Sequence, residues 1–246
     1  MIAELILVGI FIGTMSGFFG IGGGMILVPI LLVLGFDTKD AIGISIIQMV
    51  FSSIYGSYLN HKKGSLLVGE GIFVGFGGFV GGYIGGYVTQ FISDTILQFL
   101  FLGLLIFALF RLFFSQQHEY DEESKTLSKA LLFSIGLGIG IFSITLGIGG
   151  SIILTPLLVG FLHYPIKKAV SAGLFFVVFS SVAGMISRLS TGTIDFGHGL
   201  IVALASLVGV AFGIWLKDHV TSKKHKMALL LLYMLALVLL IKKMWF

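Results

Sequence analysis

Apolar residues run along this chain in stretches of membrane-spanning length, with only short polar joints between them. In the first half the pattern predicts a long apolar run over 2–34 and then three ordinary helices over 40–59, 66–91 and 95–114. The second half repeats that order over 130–161, 166–189, 194–216 and 227–245. The first run of each half is too long for a single crossing. About 33 residues at 1.5 Å each make about 50 Å of helix against an apolar core of about 30 Å, so each run must break.

The break falls at a glycine cluster, and the cluster is written twice. Gly20-Ile21-Gly22-Gly23-Gly24-Met25-Ile26-Leu27-Val28-Pro29 returns 127 positions later as Gly147-Ile148-Gly149-Gly150-Ser151-Ile152-Ile153-Leu154-Thr155-Pro156. At an offset of 128 the match continues through Phe51-Ser52-Ser53 and Phe179-Ser180-Ser181, Gly56 and Gly184, and Gly81 and Gly209. The expected fold is an all-α polytopic membrane protein of two inverted repeats, 1–114 and 130–246, joined by a polar loop over 115–129. Each repeat is a Gly-broken helical hairpin plus three transmembrane helices, giving 8 long helices in about 10 segments. The return pieces, Gly24 to Leu34 and Ser151 to Phe161, have 11 residues each and are expected to span part of the bilayer.

Composition supports the membrane reading: 57% of the residues are hydrophobic and 11% charged, far from the roughly one quarter charged of soluble domains. The first run carries Glu4 where a signal peptide has its positive region, so it reads as a retained helix. The absence of cysteine removes disulfide, iron–sulfur and thiol chemistry together. In a soluble protein the net charge of +4 would suggest nucleic acid; here the loop lysines are accounted for by orientation. If each long run crosses once, Lys and Arg divide 7 to 8 between the two sides; if each crosses and returns, they divide 11 to 4. The second arrangement obeys the positive-inside rule, makes the repeats inverted and places both termini outside.

A Gly-rich break at matching places in two halves points to a transporter site at the repeat interface. Helices restarting at Gly22, Gly23 and Gly24 and at Gly149, Gly150 and Ser151 present free N–H groups and the positive ends of their dipoles, which favours a small anion. The plainer account is close helix packing through small residues, weighed at about one to two against the site. Neighbouring polar residues extend the site to Gln48, Ser45, Ser52 and Ser180, with Phe176 standing where the second half would repeat Gln48. For any one serine a hydroxyl bonded back to its own helix is the commoner role, and for Gln48 the odds are even. Thr14, Ser16, Ser143 and Thr145 are weaker candidates. Glu70 and its repeat partner His198 are the groups available for proton coupling, against the commoner role of snorkelling to the headgroups. Arg188 and Asp195 flank the short loop outside. No metal, nucleotide or nucleophile motif occurs, and the six histidines are scattered, so neither an enzyme nor a cofactor is expected.

The doubled G-x-G-G-[GS]-x-[IL]-[LI]-x-P motif, opening a four-helix block in each half, resembles the sulfite exporter TauE/SafE family, also called the 4-toluene sulfonate uptake permease family. The resemblance covers essentially the whole chain. It implies a multi-pass permease of a bacterial or archaeal plasma membrane that moves small sulfur-containing anions such as sulfite or organosulfonates. The motif lands on Gly20, Gly22, Gly23, Gly24 and Pro29 and on Gly147, Gly149, Gly150 and Pro156. Family members commonly carry a Thr-Ser pair early in the next helix; Ile44-Ser45 keeps the Ser and Ala172-Gly173 keeps neither.

The leading expectation is therefore a secondary transporter working by alternating access around the paired breaks. A passive anion channel, or a permease subunit needing a partner protein, is the alternative. The partners expected are the anion and the lipid bilayer, with no nucleic acid, and a homodimer stays open.

Overall fold

A computed structural model of the protein describes residues 2–64, 69–114, 128–161, 166–192 and 194–245. The polar joint between the halves lies outside the described residues except for Ser128 and Lys129. All regular structure among the described residues is helical. In chain order the helices are α1 (Ile2–Phe19), α2 (Gly24–Val33), α3 (Thr38–Lys62), α4 (Gly69–Val88), α5 (Asp94–Phe114), α6 (Lys129–Thr145), α7 (Ser151–Phe161), α8 (Ile166–Ser190), α9 (Phe196–His219) and α10 (Ser222–Trp245), with a 3-10 turn over Thr89–Phe91. Six described stretches are long and apolar enough to cross a membrane: Ile2–Phe19, Thr38–Lys62, Gly71–Phe91, Ala169–Ser190, Phe196–His219 and Lys224–Trp245. Shorter apolar helices run over Gly24–Val33, Asp94–Phe110 and Lys129–Thr145.

Both overlong runs break where the glycines stand. α1 ends at Phe19 and α2 begins at Gly24; α6 ends at Thr145 and α7 begins at Ser151. Pro29 lies inside α2 without ending it, and as the sixth residue of the helix it leaves the Met25 carbonyl without the N–H that would normally bond it.

Glycine also sets which helices touch. α1 lies along α9, where a methyl on Gly9, Gly13 or Gly17 would run into the carbonyl oxygens of Val202, Ser206 and Val210. From the other side, Gly209 and Gly213 of α9 meet the Ile10 and Thr14 carbonyls of α1. α4 and α6 repeat the arrangement: Gly81 and Gly85 meet the carbonyls of Leu137 and Ile141, the positions that match Ile10 and Thr14 at the offset of the motif. Backbones this close gain dispersion contacts, which drive helix association in lipid, where no hydrophobic difference separates helix from solvent.

The opposite edge of α4 packs on α8 through Gly78, Gly82 and Gly86, and α9 packs on α3. Two three-helix layers result, α1–α9–α3 and α6–α4–α8, each drawing helices from both halves of the sequence. They meet along α3 and α8. These two helices run antiparallel, since Arg188 near the end of α8 reaches Lys39 near the start of α3, while Asn60 and Ser171 meet at the other end through Lys217.

Candidate functional site

The two breaks face each other at the middle of the α3–α8 seam. Gly22 and Gly23 have φ of 75° and 94°, and Gly149 and Gly150 have 77° and 86°, left-handed conformations that cost other residues roughly 1 kcal/mol or more. Close approach excludes side chains there as well. A methyl on Gly23 would stand 2.8 Å from Gln48 Oε1, and one on Gly150 would stand 2.6 Å from Phe176 Cε1 and 2.9 Å from Ser143 Oγ. Met49 of α3 and Val177 of α8 touch both breaks, packing against Gly22 and Gly149 alike. At Gly24 the chain lies directly against the Gly147 carbonyl of the other break.

Serines bond the buried carbonyls of the break loops. Ser52 Oγ donates to the Gly22 carbonyl at 3.3 Å and Ser180 Oγ to the Gly149 carbonyl at 3.2 Å, the same bond made once in each half. Each also lies within reach of its own helix, at the carbonyls of Met49 and Val177. Ser45 Oγ crosses between halves and donates to the Gly147 carbonyl at 2.7 Å. These hydroxyls hold the breaks open as loops, so the back-bonding role that is commoner for membrane serines describes only part of what they do. In the second half Gly173 stands where the first has Ser45, and its bare backbone lets Ser151 and Thr155 of α7 approach α8 within about 3 Å of where its own side chain would be.

Among the described residues several buried polar atoms have no hydrogen-bond partner; the hydroxyls of Ser57, Ser181 and Ser187 are in this set, and five of its residues lie at the breaks. Both amide atoms of Gln48 are unpartnered although the residue is fully buried, as are the hydroxyls of Ser16, Ser143, Ser151 and Thr155. An unmet amide at this depth costs about 1–3 kcal/mol, which a purely structural core would shed by substitution. Beside these atoms α2 and α7 start, with Gly23 and Gly150 accepting the first intrahelical bonds from Ile26 and Leu27 and from Ile153 and Leu154. The N–H groups of Gly24, Met25, Ser151 and Ile152 are therefore the free donors of two helix starts, each carrying roughly half a positive charge. Together they form a cradle of dipoles and neutral donors, of the kind that suits a small oxyanion.

The structure thus brings together Gly22, Gly23, Gly24, Gly149, Gly150, Ser151, Gln48, Ser45, Ser52 and Ser180. His198 is elsewhere, at the first turn of α9: its Nδ1 is 2.6 Å from Asp195 Oδ2, and its ring packs edge-on against Phe36. Burial pushes the Asp195 carboxyl up, but the side-chain and backbone hydrogen bonds of His198 outweigh it and hold the carboxyl below its ordinary range. The side chain of Glu70 lies outside the described residues. Arg188 differs from its expected place beside an outside loop. It is 1% exposed and donates through Nη2 to the Lys39 carbonyl at 2.8 Å, because α8 continues to Ser190 and carries it inside the seam. Sequence reasoning passed over Thr155, Met49 and Val177, and also Asn60 and Lys217. A lysine in the last turn of an apolar helix reads as snorkelling, so nothing in the sequence alone marks the last two.

The sequence profile described as Sulfite exporter TauE/SafE matches residues 5–240. Similar chains include the probable membrane transporter protein MJ0441 of Methanocaldococcus jannaschii, 28% identical over 92% of this chain and 90% of its own length. Two Bacillus subtilis proteins also named probable membrane transporters are similar. YdhB is 26% identical over 92% of each chain, and YunE is 25% identical over 96% of this chain and 94% of its own. No solved structure matches. With the family profile running almost from end to end, and with full-length relatives named as transporters in an archaeon and a bacterium, this chain belongs to the sulfite exporter TauE/SafE family of membrane transporters.

Proposed function

We propose that the protein is a secondary transporter of a small sulfur-containing anion, such as sulfite or an organosulfonate, that works by alternating access around the two breaks. The observation that carries the reading is the fully buried, wholly unpartnered amide of Gln48, set against Gly23 at the start of α2. The Gln48 NH₂ and the free N–H groups of α2 and α7 are donors, and an oxyanion is the ligand that satisfies them all. Inverted repeats are supported by the antiparallel α3 and α8 and by serine and glycine contacts that recur at the repeat offset. The bodies that rock are then the two mixed layers, because each layer is glued internally by glycine contacts while the breaks face each other across the seam between them.

The test is a thermal-shift screen of purified protein in detergent against sulfite, sulfate, thiosulfate, taurine, sulfoacetate and toluenesulfonate. Ligand at 100 times its Kd adds about 2.7 kcal/mol of stability, an easily read shift. One of these anions should raise the melting temperature of the wild type and leave that of Gln48→Leu unmoved. An equal shift in both proteins would remove Gln48 from the site, and no shift with any of the six would remove the substrate class. Coupling is read separately: accumulation of the anion against its gradient in liposomes holding this chain alone marks a coupled transporter, and mere equilibration marks the passive channel or the partner-dependent subunit.

A further inference from the structure

Each end of the α3–α8 seam is closed by a buried cation. At one end Lys217 of α9, 2% exposed, donates to Asn60 Oδ1 of α3 at 2.9 Å and to Ser171 Oγ of α8 at 3.3 Å. At the other end Arg188 of α8 donates to the Lys39 carbonyl of α3, and Lys39 Nζ in turn donates to the Gln90 carbonyl just beyond α4 at 2.9 Å. Both sets of bonds join the α1–α9–α3 layer to the α6–α4–α8 layer. From Lys39 to Asn60 along α3 is about 31 Å at 1.5 Å per residue, close to the thickness of the apolar core. Met49, which with Val177 touches both breaks, lies almost midway between Lys39 and Asn60 along α3.

The two closures occupy the same place in the two halves. At the repeat offset Asn60 corresponds to Arg188, and Lys217 corresponds to Thr89, the buried neighbour of Gln90. One end takes its cation from the α3/α8 position and the other from the α4/α9 position.

We infer that Lys217–Asn60–Ser171 and Arg188–Lys39–Gln90 are the two gates of the transport cycle, broken alternately to open the central cradle to one side of the membrane and then the other. With both sets of bonds formed, the structure is the occluded state between the two open ones. Under the positive-inside orientation the Lys217 gate faces the cytoplasm and the Arg188 gate the outside. The inference rests on the alternating-access reading but not on any particular anion.

Because the chain contains no cysteine, one introduced at Met49 is a clean reporter of access to the cradle. In intact cells and in inverted vesicles, a membrane-impermeant maleimide is applied to Met49→Cys alone and together with Lys217→Met or Arg188→Met. Loss of a hydrogen bond from a charged donor across a gate shifts the balance of states about tenfold or more. Lys217→Met should therefore raise labelling about tenfold from one side and lower it from the other, and Arg188→Met should do the reverse. Ser171→Ala keeps the buried charge and removes only one acceptor, and Arg188→Lys keeps the charge but loses the planar reach of the guanidinium. These milder variants should shift labelling in the same directions by less, and they stand in where a Met variant fails to elute as a folded species. Labelling from the same side in both gate variants, or unchanged labelling in folded Ser171→Ala and Arg188→Lys, would overturn the gates. A failed anion screen would leave this readout untouched, since it uses no substrate.

Discussion

Gln48 and Phe176 hold corresponding places in the two halves and meet corresponding glycines, Gly23 and Gly150. One offers an amide and the other a ring edge, so the cradle is polar on one wall and aromatic on the other. The amide is a liability in the empty protein. Gln48→Leu, similar in volume, should raise the ligand-free stability by about 1–3 kcal/mol while abolishing the anion-induced shift. A plain core residue would instead lose packing on such a change, and chemical denaturation in mild detergent separates the two outcomes. Leu at Gly23 or Gly150 is a harsher change. Anion flux should vanish, and the left-handed backbone together with the overlap onto Gln48 or Phe176 should destabilise the folded state, while the helices still insert. Wild-type flux from either variant would move the site away from the breaks. The sequence exposed Gln48 because an amide in an apolar helix is conspicuous. It did not reveal that Ser52 and Ser180 are spent on the carbonyls of the breaks, since that depends on where another segment passes.

At the scale of elements, two uses of glycine coexist and the structure separates them. In α6, Gly136 and Gly140 lie against the backbone of α4, whereas Gly138, between them in sequence, faces open space. Leu at Gly136 or Gly140 should therefore lower stability by about 1–3 kcal/mol or more through overpacking, and Leu at Gly138 should be close to neutral, as thermal melts of the three variants would show. The 3.6-residue period implies that alternate glycines face apart, but only the partner helix tells which face is covered. Element boundaries were far more legible. That each long run breaks follows from length, because about 33 apolar residues do not fit a core of about 30 Å, and the glycine clusters mark where the short helices over 24–33 and 151–161 begin.

For the molecule as a whole, the doubled motif made the family and the all-helical membrane architecture readable. It did not make the interleaving readable. A repeat visible in sequence suggests two blocks side by side, yet α1 belongs with α9 and α6 with α4, so neither layer is a contiguous stretch of chain. The gate at Lys217 was missed for the same reason: Asn60, Ser171 and Lys217 lie on three helices far apart in sequence and meet only once the layers form.

That arrangement also dictates the order of assembly. Gly9, Gly13 and Gly17 leave the ribosome long before Val202, Ser206 and Val210, the backbone they are shaped to receive. At about 5–20 residues per second, α1 waits roughly ten to forty seconds in the bilayer with its glycine face bare. α6 has no such wait, because α4 precedes it. The pairing of α1 with α9 therefore closes late in biogenesis, and a nascent chain that stops short of α9 is left with the glycine face of α1 uncovered.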